Sequence, residues 1–207
     1  MKTIGPLAIF SLPAVVVSLL PQFHEILCFD RTSILRGQLW RLWSGHWVHF
    51  SNSHLWWNLA AVICAAAWLE GRRPGLLLRF TALAAPLLSL GLLALDSQLA
   101  IYGGLSGIGT GVVTLLGYVL VQSRRSDRWT GFVVLALIAT KLGHDSLTGA
   151  ALLSEFSNSA VQTTPIAHAL GAALALLFGA TVSRQRSASN GSMPALINST
   201  SSGSIAR

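Results

Sequence analysis

Charge is scarce in this sequence. Asp, Glu, Lys and Arg make up 10% of its 207 residues, and only 7 residues are acidic. A soluble domain carries about 25% charged residues, so an ordinary water-exposed globular domain is excluded. Instead 52% of the residues are hydrophobic, and the mean hydropathy is +0.60. Cysteine is nearly absent. Cys28 falls in a loop and Cys64 inside an apolar run, so no disulfide between them is expected. A small-x-small cleavage site is missing after the N-terminal apolar run, which ends in Leu20-Pro21-Gln22. That run therefore reads as a retained first span, not a signal peptide. Neither Cys nor carboxylate lies near His46, His49 and His54, and their His-x2-His-x4-His spacing matches no familiar zinc site. Paired charges and broken helices along a path are missing too, which argues against a solute transporter.

What the chain does have is six apolar segments, at 4–20, 54–69, 76–95, 105–122, 129–143 and 165–182. Several are shorter than the roughly 20 residues that a typical bilayer needs, which limits tilt and favours local thinning. The expectation is an all-α, polytopic membrane domain over 1–183. A Ser-, Asn- and Gly-rich tail, 184–207, should be disordered and cytoplasmic. With the N-terminus inside, the inner side carries Lys2, Arg72, Arg73, Arg79, Arg124, Arg125, Arg128, Arg184, Arg186 and Arg207. The outer side carries Arg31, Arg36, Arg41 and Lys141. This imbalance follows the positive-inside rule. It accounts for the net charge of +7 without nucleic acid as a partner. Both termini are then cytoplasmic, and the second, fourth and sixth segments begin at the outer face.

Each of those three segments opens with a polar group: His54-Leu55-Trp56-Trp57-Asn58, Gly104-Leu105-Ser106-Gly107, and Ala167-His168. At 1.5 Å per residue, Asn58, Ser106 and His168 share one depth, just below the outer surface, where water can reach. Ionisable and strongly polar groups are costly in a bilayer and are functional candidates. A serine and a histidine at one level are a nucleophile and its base. Asn58 follows His54 by four residues on the same helix face. It can donate to a developing oxyanion, as can the Ser106 amide at a helix start. The alternative is polar glue between helices. Gly103, Gly107 and Gly111, and then Gly171, Ala175 and Gly179, are spaced to let two membrane helices approach closely. Such an approach would bring Ser106 to His168. Trp40, Trp43 and Trp47 fit one face of an amphipathic segment at the outer interface. The polar stretch 144–164 reads as a flexible cap.

Taken together, five pieces resemble the motifs of the rhomboid family of intramembrane serine proteases, over about residues 40–179. They are Trp40-Arg41, His49-Phe50, His54-x3-Asn58, Gly104-Leu105-Ser106-Gly107 and Ala167-His168-Ala169-Leu170-Gly171. The resemblance implies a six-transmembrane-helix rhomboid-like bundle and a Ser106–His168 dyad with no third, acidic member. It implies an oxyanion pocket from His54, Asn58 and the Ser106 amide, with no cofactor. The partners it implies are the lipid bilayer and transmembrane protein substrates. The compact size, the loop Arg36-Gly37-Gln38-Leu39-Trp40-Arg41 and the Lys141-to-Gly149 stretch are most similar to the rhombosortase branch. That branch implies a bacterial inner (plasma) membrane and exported substrates with a C-terminal Gly-Gly motif, a span and a basic tail. Three features depart from the family pattern. Thr110 stands where many rhomboids carry a tyrosine that packs on the histidine, Ala175 replaces a ladder glycine, and Ser106 lies unusually far from His168 in sequence. Thr110 is the main support for an alternative, a catalytically inactive rhomboid-like protein that binds transmembrane clients. The joint presence of Ser106, His168 and Asn58 argues against it.

Overall fold

The computed structural model describes residues 4–148 and 164–191. Helix α1, Ile4–Leu19, leads into a block of short elements: α2 (His24–Leu27), β1 (Phe29–Asp30), α3 (Arg31–Leu35) and α4 (Arg41–Ser44). Long helices α5 (Asn52–Arg72) and α6 (Leu76–Leu95) follow, then β2 (Ile101–Tyr102), α7 (Ser106–Val121), α8 (Arg125–Thr148) and α9 (Pro165–Gly191). The two strands pair antiparallel, Phe29 opposite Tyr102 and Asp30 opposite Ile101. Long helices thus stand where the apolar segments were expected. By length and composition, α6 and the stretch Pro165–Gln185 could each cross a membrane, while Ser106–Val121 is apolar but shorter.

Helix α7 is the centre, with all but a few of its side chains buried. It packs most extensively against α9 and α8, and α5 and α6 complete the bundle. Outward faces are also apolar: Trp56, Trp57, Trp129, Leu137 and Leu177 are each more than half exposed. Contiguous apolar surface of this kind suits lipid rather than water.

Capping explains where the helices begin. Ser51 Oγ accepts from the His54 amide at 3.2 Å and starts α5. The buried Glu70 carboxylate accepts from the amides of Gly75 at 2.8 Å and Leu77 at 2.9 Å. Free amides and the helix dipole at the α6 start hold that charge, which explains a carboxylate away from water.

Two ends differ from expectation. Helix α8 runs to Thr148, five residues past 143, so the polar stretch begins as helix. Thr140, Ser146 and Thr148 hydroxyls donate to carbonyls four residues back, and Lys141 pairs with Asp145 one turn on. These local bonds carry the helix beyond its apolar run. The rest of the expected cap, 149–163, lies outside the described residues. Helix α9 continues to Gly191, into the stretch expected to be a disordered tail, and 192–207 lie outside the described residues.

The block before α5 is tied down by buried polar bonds. Arg41 Nη1 donates to the carbonyls of Glu25 and Cys28, both at 2.8 Å, and its Nε to Gln38 Oε1 at 2.8 Å. Arg31 reaches the Asp96 and Leu93 carbonyls at the end of α6. The tryptophans expected at an interface divide: Trp40 and Trp43 are exposed, while Trp47 packs against the core.

Candidate active site

The site is built on the turn that enters α7. Gly104 has φ +129°, and a Cβ there would lie 2.7 Å from the His54 ring. Only glycine fits this conformation and this contact, so the turn lies flat against the start of α5. Its backbone is held at three points. The Gly104 amide donates to Gly45 O at 3.3 Å, the Tyr102 hydroxyl to Gly104 O at 3.1 Å, and the Leu105 amide to His49 Nε2 at 3.4 Å. An amide can only donate, so His49 Nε2 accepts and the ring proton sits on Nδ1, 3.1 Å from Trp47 O. Burial pushes His49 down to about 3 and His46 down to about 4. Both rings are neutral at pH 7. His46 Nε2 lies 2.9 Å from Ala85 O and 3.0 Å from Ser89 Oγ, fastening this block to α6. Two of the three histidines weighed as metal ligands, His46 and His49, therefore spend ring nitrogens on the scaffold.

Ser106 is the first residue of α7 and is half-buried. Next to it, a Cβ on Gly107 would lie 3.0 Å from Ala167 O, and one on Gly171 would overlap the Gly107 carbonyl. A Cβ on Gly111 would lie 2.8 Å from Gly171 O. Helices α7 and α9 thus touch backbone to backbone, as the small-residue ladders predict. Ser106 flanks this contact on one helix and His168 on the other. From α5, the His54 ring closes the turn and stands 5.3 Å from the His49 ring. Asn58 lies one turn further on, and its Nδ2 has no hydrogen-bond partner among the described residues. A buried donor without an acceptor costs roughly 1–3 kcal/mol, so this amide stands out among the polar groups of α5.

His168 is 3% exposed, and its Nδ1 lies 2.7 Å from Asp145 Oδ2. Asp145 is 0% exposed. Lys141 Nζ lies 2.5 Å from the same Oδ2 and 2.9 Å from His168 Nδ1. The dyad implied by resemblance lacks an acidic member, and here a carboxylate meets the histidine. Sequence reasoning missed it because the fifth segment was ended at 143, which left Asp145 in a loop. The available signal was a Lys-x3-Asp pair at the end of an apolar run in a chain with few acids.

Tyr102 was missed as well. Its phenol is buried and donates to Gly104 O, and burial pushes it up to about 12. It stays protonated and holds the turn that enters α7 through the Gly104 carbonyl. Thr110, in the position where the resemblance expects tyrosine, turns its hydroxyl back onto Ser106 O at 2.9 Å.

A protein-family model described as Rhomboid domain matches residues 36–185, from just before α4 into α9. No curated protein matches the chain.

Proposed function

The chain belongs to the rhomboid family, and from that membership we propose that it is a six-span serine endopeptidase in which Ser106 is the nucleophile and His168 its base. Rhomboid proteins are in general intramembrane serine proteases that act on transmembrane substrates in the bilayer, and this is an integral membrane protein. The observation that supports the assignment is the backbone contact of Gly107 with Ala167 and Gly171, next to Ser106 on one helix and His168 on the other. His168 Nε2 takes the Ser106 proton as Oγ attacks the substrate carbonyl. The oxyanion is received by Asn58 Nδ2, by His54 and by the Ser106 amide at the positive end of α7. Collapse of the tetrahedral intermediate breaks the peptide bond, and His168 returns the proton to the leaving amine. Water then hydrolyses the acyl-enzyme by the same steps.

The finer reading is a rhombosortase-like enzyme of a bacterial inner membrane, with both termini cytoplasmic. Its substrates would be exported proteins with a C-terminal Gly-Gly motif, a span and a basic tail. The loop Arg36 to Arg41 and the charge distribution support it. A client-binding protein would have no use for an unpartnered Asn58 amide beside a serine at a helix start.

Labelling of the purified protein with a fluorophosphonate tests the nucleophile. Wild type should label, whereas Ser106→Ala and His168→Ala should not while remaining folded. In peptide cleavage the double variant should lose little more than either single one, because members of a catalytic unit are non-additive. Labelling of Ser106→Ala at the wild-type level would defeat the assignment.

A further inference from the structure

We infer that Asp145 is a positioning residue that keeps the His168 proton on Nδ1 and Nε2 free as the base, with Lys141 as the counter-charge that lets Asp145 stay buried as a carboxylate. The inference rests on the proposed role of His168 and adds a third and a fourth member to it. A neutral imidazole carries one proton. On Nδ1, that proton is donated to Asp145 Oδ2 across 2.7 Å, and the Nε2 lone pair is available to Ser106. On Nε2, the Nδ1 lone pair would face the carboxylate, and among the described residues only Lys141 Nζ, at 2.9 Å, could donate to it. An acceptor and a donor therefore compete for one nitrogen. The carboxylate is the closer of the two, 2.7 Å against 2.9 Å, and it is a charged acceptor that a proton on Nδ1 satisfies, while the Lys141 ammonium has its own acceptor in Oδ2, 2.5 Å away.

Burial explains why both residues are present. A carboxylate at 0% exposure needs a partner. The Lys141 side chain is 29% exposed and reaches in from the wet end of α8 to provide one. When Nε2 takes the Ser106 proton, the imidazolium forms against a fixed anion. The carboxylate itself takes no proton, and the Nδ1 proton stays where it was. In a Ser-His-Asp triad, replacing the Asp by Asn leaves the geometry intact but costs about 10⁴ in kcat through the wrong tautomer.

The test uses the full chain in detergent, a fluorophosphonate as probe, and ¹⁵N spectra of His168 near neutral pH. In wild type the ring should carry its proton on Nδ1. In Asp145→Asn the proton should move to Nε2, and the labelling rate should fall by about 10³–10⁴-fold. Removing one member can unfold a buried pair, so Lys141→Met/Asp145→Leu is the second variant. Apolar replacement of a buried ion pair is often neutral or stabilising. This variant should keep its melting curve and lose labelling to a similar extent. A merely structural pair gives the opposite result, a double variant that labels at the wild-type rate, and that overturns the inference. A wild-type His168 protonated at Nε2 overturns it as well. Wild type that does not label at all sinks the proposed function instead, and the ¹⁵N spectrum still decides the role of Asp145.

Discussion

Asn58 separates catalysis from packing. Its Nδ2 hydrogens meet no acceptor among the described residues, so truncation removes no hydrogen bond that this donor makes there. Loss of one oxyanion donor costs about 10²–10³ in kcat. Asn58→Ala is expected to slow turnover of a transmembrane substrate by that factor and to leave the melting curve in place. Interhelical glue would behave in the opposite way, losing about 0.6 kcal/mol of stability with kcat per folded molecule preserved. The measurement is kcat of the folded variant beside its thermal unfolding, and near-normal turnover in an early-melting protein removes Asn58 from the oxyanion site. At this scale the sequence singles out His54, Asn58, Ser106 and His168 as polar residues in apolar runs, and the structure sets them near the starts of α5, α7 and α9. His49 and Tyr102 were not assigned their roles. Those roles come from what the fold brings to them, such as the Leu105 amide, 56 residues along the chain from His49.

The crossing of α7 and α9 brings together the starts of the two helices that carry Ser106 and His168. Gly171 faces the Gly107 carbonyl with no room for a methyl group. Backbone cannot swing aside as a flexible side chain can, so Gly171→Ala forces the helices apart. Overpacking of this kind costs about 1–3 kcal/mol, and a displacement of about 1 Å at a catalytic pair can cost about 10²-fold in rate. Gly143 is the matched control, since it lies inside α8 with nothing within 4 Å of an added Cβ. Gly143→Ala should hold or raise stability by about 0.5–1 kcal/mol, because glycine is a poor helix former. Melting curves and fluorophosphonate labelling rates of both variants check this. If Gly171→Ala equals wild type in both, the crossing does not set the site. The crossing was legible because small residues every four positions have one principal use between membrane helices. The C-terminal end of α8 was not, because hydropathy is blind to the hydroxyl back-bonds and the Lys141–Asp145 pair that prolong it.

The whole molecule has two chemically different ends. The starts of α5, α7 and α9 meet the end of α8 through His54 on Gly104, Gly107 on Ala167, and Asp145 on His168. At the other end, Arg72 pairs with Asp127 at 2.7 Å, joining the end of α5 to the start of α8. Ser183 donates to Gln122 at 2.9 Å, joining α9 to the end of α7, and Arg73, Arg79, Gln122 and Ser183 line one cavity. Under the proposed topology the positive-inside rule gives this arginine-rich end to the cytoplasm, and Ser106 and His168 would then lie toward the opposite face. The charge count carries that orientation in the sequence alone, because the bundle has the same contacts either way up. Cysteine accessibility decides it. In a background with Cys28 and Cys64 replaced by Ala, Ser53→Cys marks the active end and Ser126→Cys the basic end, both positions being exposed. In intact cells a membrane-impermeant maleimide should modify Ser53→Cys and spare Ser126→Cys until the membrane is opened. The reverse pattern would turn the active end toward the cytoplasm. Exported proteins anchored by a C-terminal span would then present their outer segments on the wrong side of the bilayer for Ser106. The rhombosortase-like substrate class would fall, while the chemistry proposed for Ser106 and His168 would stand.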